Sequence, residues 1–276
     1  MEIAFNKLTY IENKSSSIEK KILDNVNAII EQGSIVSFIN DDLSILGNLM
    51  MLSKRPISGC IMFDDVKFNR TSHIKNSKEL KKKFGFVNLD MSVLFLEKTV
   101  KDEINVLLKN YNSKYKNNNK HIVDSLLIAG LNESYLDRDP NTLSFVEKKK
   151  LKFACVMSYN PEVLILNEFE KGLSFKEREY FRKLFLKLKS KFGKTIILLS
   201  SRVEFLFDIV DKMYVISNGS LVLSGGQELF YDNNLYKYVD VPKIVEFTKY
   251  VHDEGHNIIE YTDFKELIKE LYRHVG

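Results

Sequence analysis

The stretch Asn160-Pro-Glu-Val-Leu-Ile-Leu-Asn-Glu168 decides the fold. Val163 to Leu166 form a short, unbroken apolar run rich in strand formers, the pattern of a strand buried on both faces of a parallel sheet. The run ends in Asn167-Glu168, so two polar side chains stand at the carboxyl end of that strand. In open α/β sheets, that edge is where ligands bind.

The chain has 276 residues, enough for one large α/β domain or a domain with appendages. Apolar residues make up 44% and aromatics 12%, which supports a sizeable core. Basic and acidic residues nearly balance, 41 against 37, and a net charge of +4 is too mild to imply nucleic acid as a partner. Cys60 and Cys155 lie far apart with no metal-ligand spacing and read as two buried thiols of a reducing compartment. No apolar run approaches the roughly 18–20 residues of a membrane span, and the first residues do not read as a signal peptide. Any work at a membrane is therefore expected to go through a partner.

Before the deciding strand, residues 2–10, 21–30 and 34–39 read as strands, with a polar loop at Asn13–Ser17 and a turn at Gly33. Asn40-Asp-Asp-Leu-Ser-Ile-Leu-Gly47 follows the third strand, and Arg55-Pro-Ile-Ser-Gly59 follows in turn. A strand pair turns at Asp64-Asp65, Lys78–Lys83 reads as a basic helical piece, and Gly85-Phe-Val-Asn88 as another strand. Asn110–Lys120 is rich in Asn and Lys and reads as a solvated loop, with helical periodicity resuming at His121. Beyond Glu168 lie Phe169-Glu-Lys-Gly-Leu-Ser174, an amphipathic helix over 175–192, and the buried strand Lys194-Thr-Ile-Ile-Leu-Leu-Ser-Ser201.

These segments, taken in this order, resemble the ATPase subunits of ATP-binding cassette (ABC) transporters. Val163–Glu168 is similar to the family's Walker B strand, in which an Asp orients magnesium and the next Glu polarises the attacking water; here Asn167 replaces the Asp and Glu168 remains. The resemblance implies a P-loop α/β fold with an N-terminal antiparallel β-region, a helical subdomain at about 89–158 and a small C-terminal extension. The ATPase-like domain is then expected at 1–227 and the extension at 228–276. In the family an aromatic near the end of the first strand stacks on adenine; Tyr10 stands there, though an ordinary sheet tyrosine is the plainer reading.

A phosphate loop needs G-x-x-x-x-G-K-[ST], because glycines let backbone N–H groups wrap phosphates and the Lys neutralises them. Arg55–Gly59 resembles the family's K-P-T-S-G turn and sets the register. The loop Asn40, Asp41, Asp42, Leu43, Ser44, Ile45, Leu46, Gly47 then carries Asn40 and Ile45 for the glycines, Leu46 for the Lys and Gly47 for the magnesium Ser/Thr. Asp41 and Asp42 add negative charge where phosphates would lie, and the following helix is short. Losing two or three charge-assisted hydrogen bonds of ~1.5–3 kcal/mol each weakens nucleotide binding by roughly 10³–10⁵-fold.

The other site positions depart in parallel. Asn88 stands for the Q-loop Gln, Ser174 for the D-loop Asp and Ser201 for the switch His. In Asn141-Thr-Leu-Ser-Phe-Val-Glu147, the family's L-S-G-G-Q signature keeps Leu143 and Ser144, while Phe145, Val146 and Glu147 replace Gly-Gly-Gln. A literal L-S-G-G-Q occurs at Leu223–Gln227, but it follows the last strands, where the glycines serve a turn. Leu94-Phe-Leu-Glu-Lys-Thr-Val-Lys-Asp-Glu-Ile104 matches the family segment that receives a membrane subunit. Glu97, Asp102 and Glu103 are its candidate docking residues, with ordinary first-turn helix acids as the alternative. Residues 235–250, Gly255 and 261–268 resemble the C-terminal dimerisation extension of energy-coupling factor (ECF) ATPases. His252 and His256 are four apart, but Gly255 breaks the helix, and no metal site is expected.

The resemblance implies a degenerate ECF-type subunit: it pairs with a second ATPase (a different one favoured over its own copy) and docks on an integral membrane T-component. Through that it meets a substrate-binding S-component, and it lies in the cytoplasm at the inner face of the membrane. Little or no ATP hydrolysis is expected of it, so it reads as a pseudo-ATPase. Neither ATP nor Mg²⁺, the family's cofactors, is expected as a firm ligand. The alternatives are an active ATPase powering vitamin or metal-ion uptake through divergent contacts, and a soluble interaction protein derived from such an ATPase.

Overall fold

The computed structural model describes residues 1–12, 20–39, 43–88 and 95–253, together with Lys269. Asn40, Asp41, Asp42 and Leu94 lie outside the described residues, as do the 13–17 loop and the tail motif around Gly255, His256 and 261–268.

The elements follow in the order β1 (Ile3–Glu12), β2 (Lys20–Ile30), β3 (Ile35–Ile39), α1 (Ser44–Met50), β4 (Ser58–Phe63), β5 (Val66–Phe68), α2 (Ser77–Lys82) and β6 (Phe84–Val87). Then come α3 (Val100–Tyr111), α4 (Asn119–Ile128), α5 (Phe145–Ser158), β7 (Val163–Asn167), α6 (Phe175–Phe192), β8 (Thr195–Ser200), β9 (Lys212–Ser217), β10 (Ser220–Gly225) and α7 (Lys243–Asp253). A four-stranded antiparallel sheet runs β2-β1-β4-β5, and a six-stranded sheet runs β10-β9-β3-β8-β7-β6. The latter is parallel from β9 to β6, with β10 antiparallel at one edge.

The apolar run of β7 is unbroken because both of its faces are buried. Leu164 and Leu166 point into a core shared with α3, α4, α5 and α6. Val163 and Ile165 point into a second core closed by the antiparallel sheet and α1. β8 divides in the same way: Ile196 and Leu198 join the first core, Ile197 and Leu199 the second. With side chains leaving alternately to two apolar layers, polar residues are pushed to the strand ends.

The 110–120 stretch departs from the solvated loop expected of it. α3 continues to Tyr111, a 3₁₀ turn covers Ser113–Tyr115, and α4 starts at Asn119. Aromatic stacking supplies the order that composition hides: Tyr111 lies on Tyr159 at 4.6 Å between centroids and Tyr115 on His121 at 4.2 Å. The Asn118 side chain also accepts from the His121 N–H and caps α4.

Helices α5 and α6 start alike. Ser144 Oγ accepts from the Glu147 N–H, and the Glu147 carboxylate accepts from the Ser144 N–H at 2.8 Å. Ser174 and Glu177 repeat this capping box before α6. As a result α5 begins at Phe145, directly after its Ser144 cap.

The turn ending at Gly59 has a steric origin. Gly59 has φ +73°, and a Cβ there would run into the main-chain oxygens of Lys7 and Asn6 on β1, beside an irregularity in the β1–β4 register. Gly59→Ala is expected to cost about 2–4 kcal/mol, because backbone rather than a movable side chain must give way; urea unfolding measures it.

The first capping box makes a prediction in acid. The Glu147 carboxyl is held down to about 2, first by the Tyr135 hydroxyl that donates to it at 2.6 Å and then by Ser144. Its folded pKa lies below its usual value of 4.5, so the stability it contributes is present above about pH 4.5 and is lost as pH falls toward 2. After solvent screening this is on the order of 1 kcal/mol. Glu147→Gln keeps the cap geometry without the titrating proton and is expected to flatten the pH 4.5–2 limb of an acid-unfolding curve.

Candidate functional site at the carboxyl edge of the parallel sheet

Strands β3, β8, β7 and β6 end side by side, and the residues singled out from the sequence gather there. In the β6–β7 register Val87 faces Leu166, so Asn88 and Asn167 emerge as neighbours. The Asn167 amide donates to the Asn88 side-chain oxygen at 2.9 Å. The two residues read from the sequence as the Q-loop and Walker B positions are thus bonded to each other.

Glu168 sits just past β7 with φ +48° and its side chain 14% exposed. Its carboxylate accepts from the Ser201 N–H at 3.1 Å and the Ser201 hydroxyl at 3.2 Å, and pairs with Lys171 at 2.9 Å. Both carboxylate oxygens of Glu168 are thus engaged by donors from Ser201 and Lys171.

The loop into α1 is described from Leu43 onward. Leu46, at the lysine position, is fully buried in the core between α1 and the sheet, with Ile45 beside it. At Gly47, which the sequence register sets against the magnesium hydroxyl, a Cβ would collide with the Phe86 ring reaching over from β6. Leu43 places no capping side chain on α1, whose first turn carries no acidic residue. Among the described residues, then, the positions that would hold a phosphate and its magnesium offer a buried leucine, a glycine under an aromatic ring and a self-paired amide. They do not fit a magnesium nucleotide.

Ser144 and Ser174 both serve as N-caps, and Phe145 stands 41% exposed beside Gly172. The second L-S-G-G-Q belongs to β10 and the turn after it. Leu223 and Ser224 pair with Val215 and Tyr214, and the Gln227 side chain bonds the main chain at Asp208 and Val210. Tyr10 lies in β1, partly buried against the core. In the candidate docking segment, Glu103 accepts from the Glu97 N–H at 3.0 Å, and Asp102 accepts from the Thr99 hydroxyl at 2.7 Å at the start of α3.

Three participants lay outside the sequence reading. Phe86 closes the space over Gly47. Glu170 is buried and accepts from the Ser200 hydroxyl at 2.6 Å, and burial raises its pKa. Lys149, on α5, is fully buried and donates to the Phe169 carbonyl at 2.8 Å and to the Lys171 carbonyl. The two S-x-x-E boxes were a readable local signal, whereas no local pattern marks Phe86 or Lys149.

Comparison with known proteins bears on this geometry. The family model described as ABC transporter matches residues 43–170. The chain is 29% identical over 267 residues to "Energy-coupling factor transporter ATP-binding protein EcfA2" of Clostridium tetani, covering 94% of this chain and 92% of the relative. It is 28% identical over 264 residues to the protein of the same name from Streptococcus thermophilus, covering 93% and 94%. The solved cbiO1 of Clostridium perfringens, described as part of the ABC transporter complex cbiONQ, superposes with a TM-score of 0.70 at 22% identity, over 90% of this chain and 98% of that one. The ATP-binding cassette MJ0796, solved as a dimer bound to ADP and Pi, gives 0.72 at 20% identity over 82% and 98%. Among the described residues no helix is long and apolar enough to cross a membrane. Residues 43–170 match the ABC transporter family model, the chain has the P-loop α/β fold of the ABC cassettes it superposes on, and the curated proteins it resembles are named as energy-coupling factor ATP-binding proteins.

Proposed function

We propose that this chain is a non-hydrolysing ATP-binding-cassette subunit of an ECF-type uptake transporter. It pairs with a second ATPase subunit, a different chain rather than its own copy, and docks on a membrane T-component that carries it to the inner face of the membrane. The observation that carries this reading is the closed carboxyl edge: Phe86 over Gly47, and Asn88 bonded to Asn167. The relatives named as ECF ATP-binding proteins support the assignment to that transporter type. We assign residues 1–227 to the ATPase-like domain, with its helical subdomain at about 89–158, and 228–276 to the partner-binding extension.

Glu168, engaged by Ser201 and Lys171, acts in this reading as a structural acceptor rather than a base. Glu97 with the α3 start, Asp102 and Glu103, is the docking side toward the membrane subunit. Ser144, Ser174 and Ser201 hold the backbone where the family's residues would meet nucleotide. The subunit contributes shape and contact to the transporter, and the partner contributes the hydrolysis.

Calorimetry of the purified full chain with Mg-ATP is expected to show no binding heat at millimolar nucleotide. The same titration of a complex with its partner ATPase is expected to report the partner's sites alone. Micromolar binding by the isolated chain would overturn this reading and favour an active ATPase with divergent contacts.

A further inference from the structure

Helix α6 turns a cationic face to solvent. Lys176, Lys183, Lys187 and Lys191 are exposed, and at helical spacing they fall with Tyr180 inside an arc of roughly 80° that runs about 22 Å along the helix. Among the described residues none of these four ammoniums has an acceptor. The helix's other charges are engaged elsewhere: Glu177 pairs with Lys150 at 2.6 Å, Glu179 with Arg182 at 3.4 Å, and Lys189 with Asp211. Between Tyr180 and Phe192 the sequence holds no acid. We propose that this lysine face binds anionic phospholipid headgroups and seats the subunit on an acidic membrane surface.

A helix face that is only solvated mixes its signs, because opposite charges four residues apart support a helix and like charges weaken it. Here Lys183, Lys187 and Lys191 stand four apart in one row, so the face carries a repulsion that a negative surface relieves. The fold holds the helix firm against that repulsion. Ser174 and Glu177 cap its start, Gly193 ends it in the left-handed conformation with φ +60°, and Phe181, Phe185 and Leu188 are buried in the first core. The row is preformed, and docking orders no backbone.

The residue types favour lipid over a protein or nucleic-acid partner. The four free cations of the face are all lysines, point charges that suit a diffuse layer of headgroups, whereas discrete carboxylates and phosphates are met best by the arginine fork. Arg182 of the same helix is turned inward, onto the Phe207 carbonyl at 2.7 Å and Asp208. Along one margin of the row Leu186 is 38% exposed and Phe175 71%, apolar groups able to enter the boundary between headgroups and acyl chains. With a net charge of only +4 on the whole chain, attraction to an anionic surface is local to such a face rather than general. This lipid contact rests on the place proposed above for the subunit, at the inner face of the membrane, where the leaflet is anionic.

The test is sedimentation of the full chain with vesicles of about one-third phosphatidylglycerol in phosphatidylcholine at about 0.1 M salt, with no transporter component present. The chain is expected to bind the anionic vesicles and not phosphatidylcholine alone, and binding is expected to fall as salt is raised. Lys183→Gln, Lys187→Gln and Lys191→Gln together are expected to weaken it roughly a hundredfold, at about fivefold for each lysine. Lys54→Gln, Lys67→Gln and Lys75→Gln remove the same charge from exposed positions elsewhere and are expected to weaken it less than about threefold. Glutamine keeps the helix propensity of lysine, so both triple variants are expected to fold. No binding to anionic vesicles overturns the proposal, as does equal binding to neutral ones. Equal losses in the two triple variants mark attraction by net charge and overturn the face. Tighter capture of duplex DNA or polyglutamate than of vesicles, lost in the first triple variant, gives the face to another occupant and overturns the lipid contact. Because neither nucleotide nor partner enters the experiment, its failure leaves the Mg-ATP result and the reading built on it standing.

Discussion

A parallel sheet buried on both faces leaves its strands one place for polar chemistry, the carboxyl ends. In β7 the alternation of Val163 and Ile165 toward one core with Leu164 and Leu166 toward the other allows no polar side chain before Asn167. Apart from Ser37 inside β3, bonded to the Leu198 carbonyl, and Thr195 at the amino end of β8, the hydrophilic side chains of β3, β8, β7 and β6 gather at that one edge. Such an edge must be satisfied by a ligand, by water or by itself. Here it is satisfied by itself: Asn167 by Asn88, Glu168 by Ser201 and Lys171, Glu170 by Ser200. Among the described residues no buried side-chain nitrogen or oxygen is left without a partner.

The energetic logic of that closure is coherent. An empty phosphate cradle would leave N–H groups and a lysine ammonium converging without a counter-charge. In the described part of this loop and helix the contacts are instead apolar: Leu46 and Ile45 are buried and the half-buried Phe86 ring lies against Gly47. The Ser-Glu boxes at α5 and α6 do comparable work at two helix starts whose N–H groups would otherwise look for an anion. Behind them, the rings of Phe153, Phe169, Phe181 and Phe185 pack at centroid distances of 4.7–6.2 Å and fasten the segment after β7 to α5 and α6.

Features that depend on neighbours in sequence were legible in it. The buried strand with its polar end, the hairpin at Asp64-Asp65, the short helix after β3 and the turn use of the second L-S-G-G-Q all follow from local pattern. The Asn/Lys-rich stretch misled because composition reports solvation but not stacking, and its order comes from Tyr111 on Tyr159 and Tyr115 on His121. At the site, the residue types were legible but their bonds were not. Asn88 and Asn167 are 79 residues apart, and their hydrogen bond exists only because β6 and β7 are neighbours. Lys149 is one of three consecutive lysines, and only the fold distinguishes the buried one from Lys148 and Lys150.

The Gly47–Phe86 contact also bears on how such a chain can change over generations. A single substitution that gave position 47 a hydroxyl would meet the Phe86 ring, and a single substitution that trimmed Phe86 would leave a hole in packed structure beside a glycine. The two positions are therefore coupled: a side chain at 47 and the ring at 86 compete for one space, so a change at either is felt at the other and the pair is best altered together.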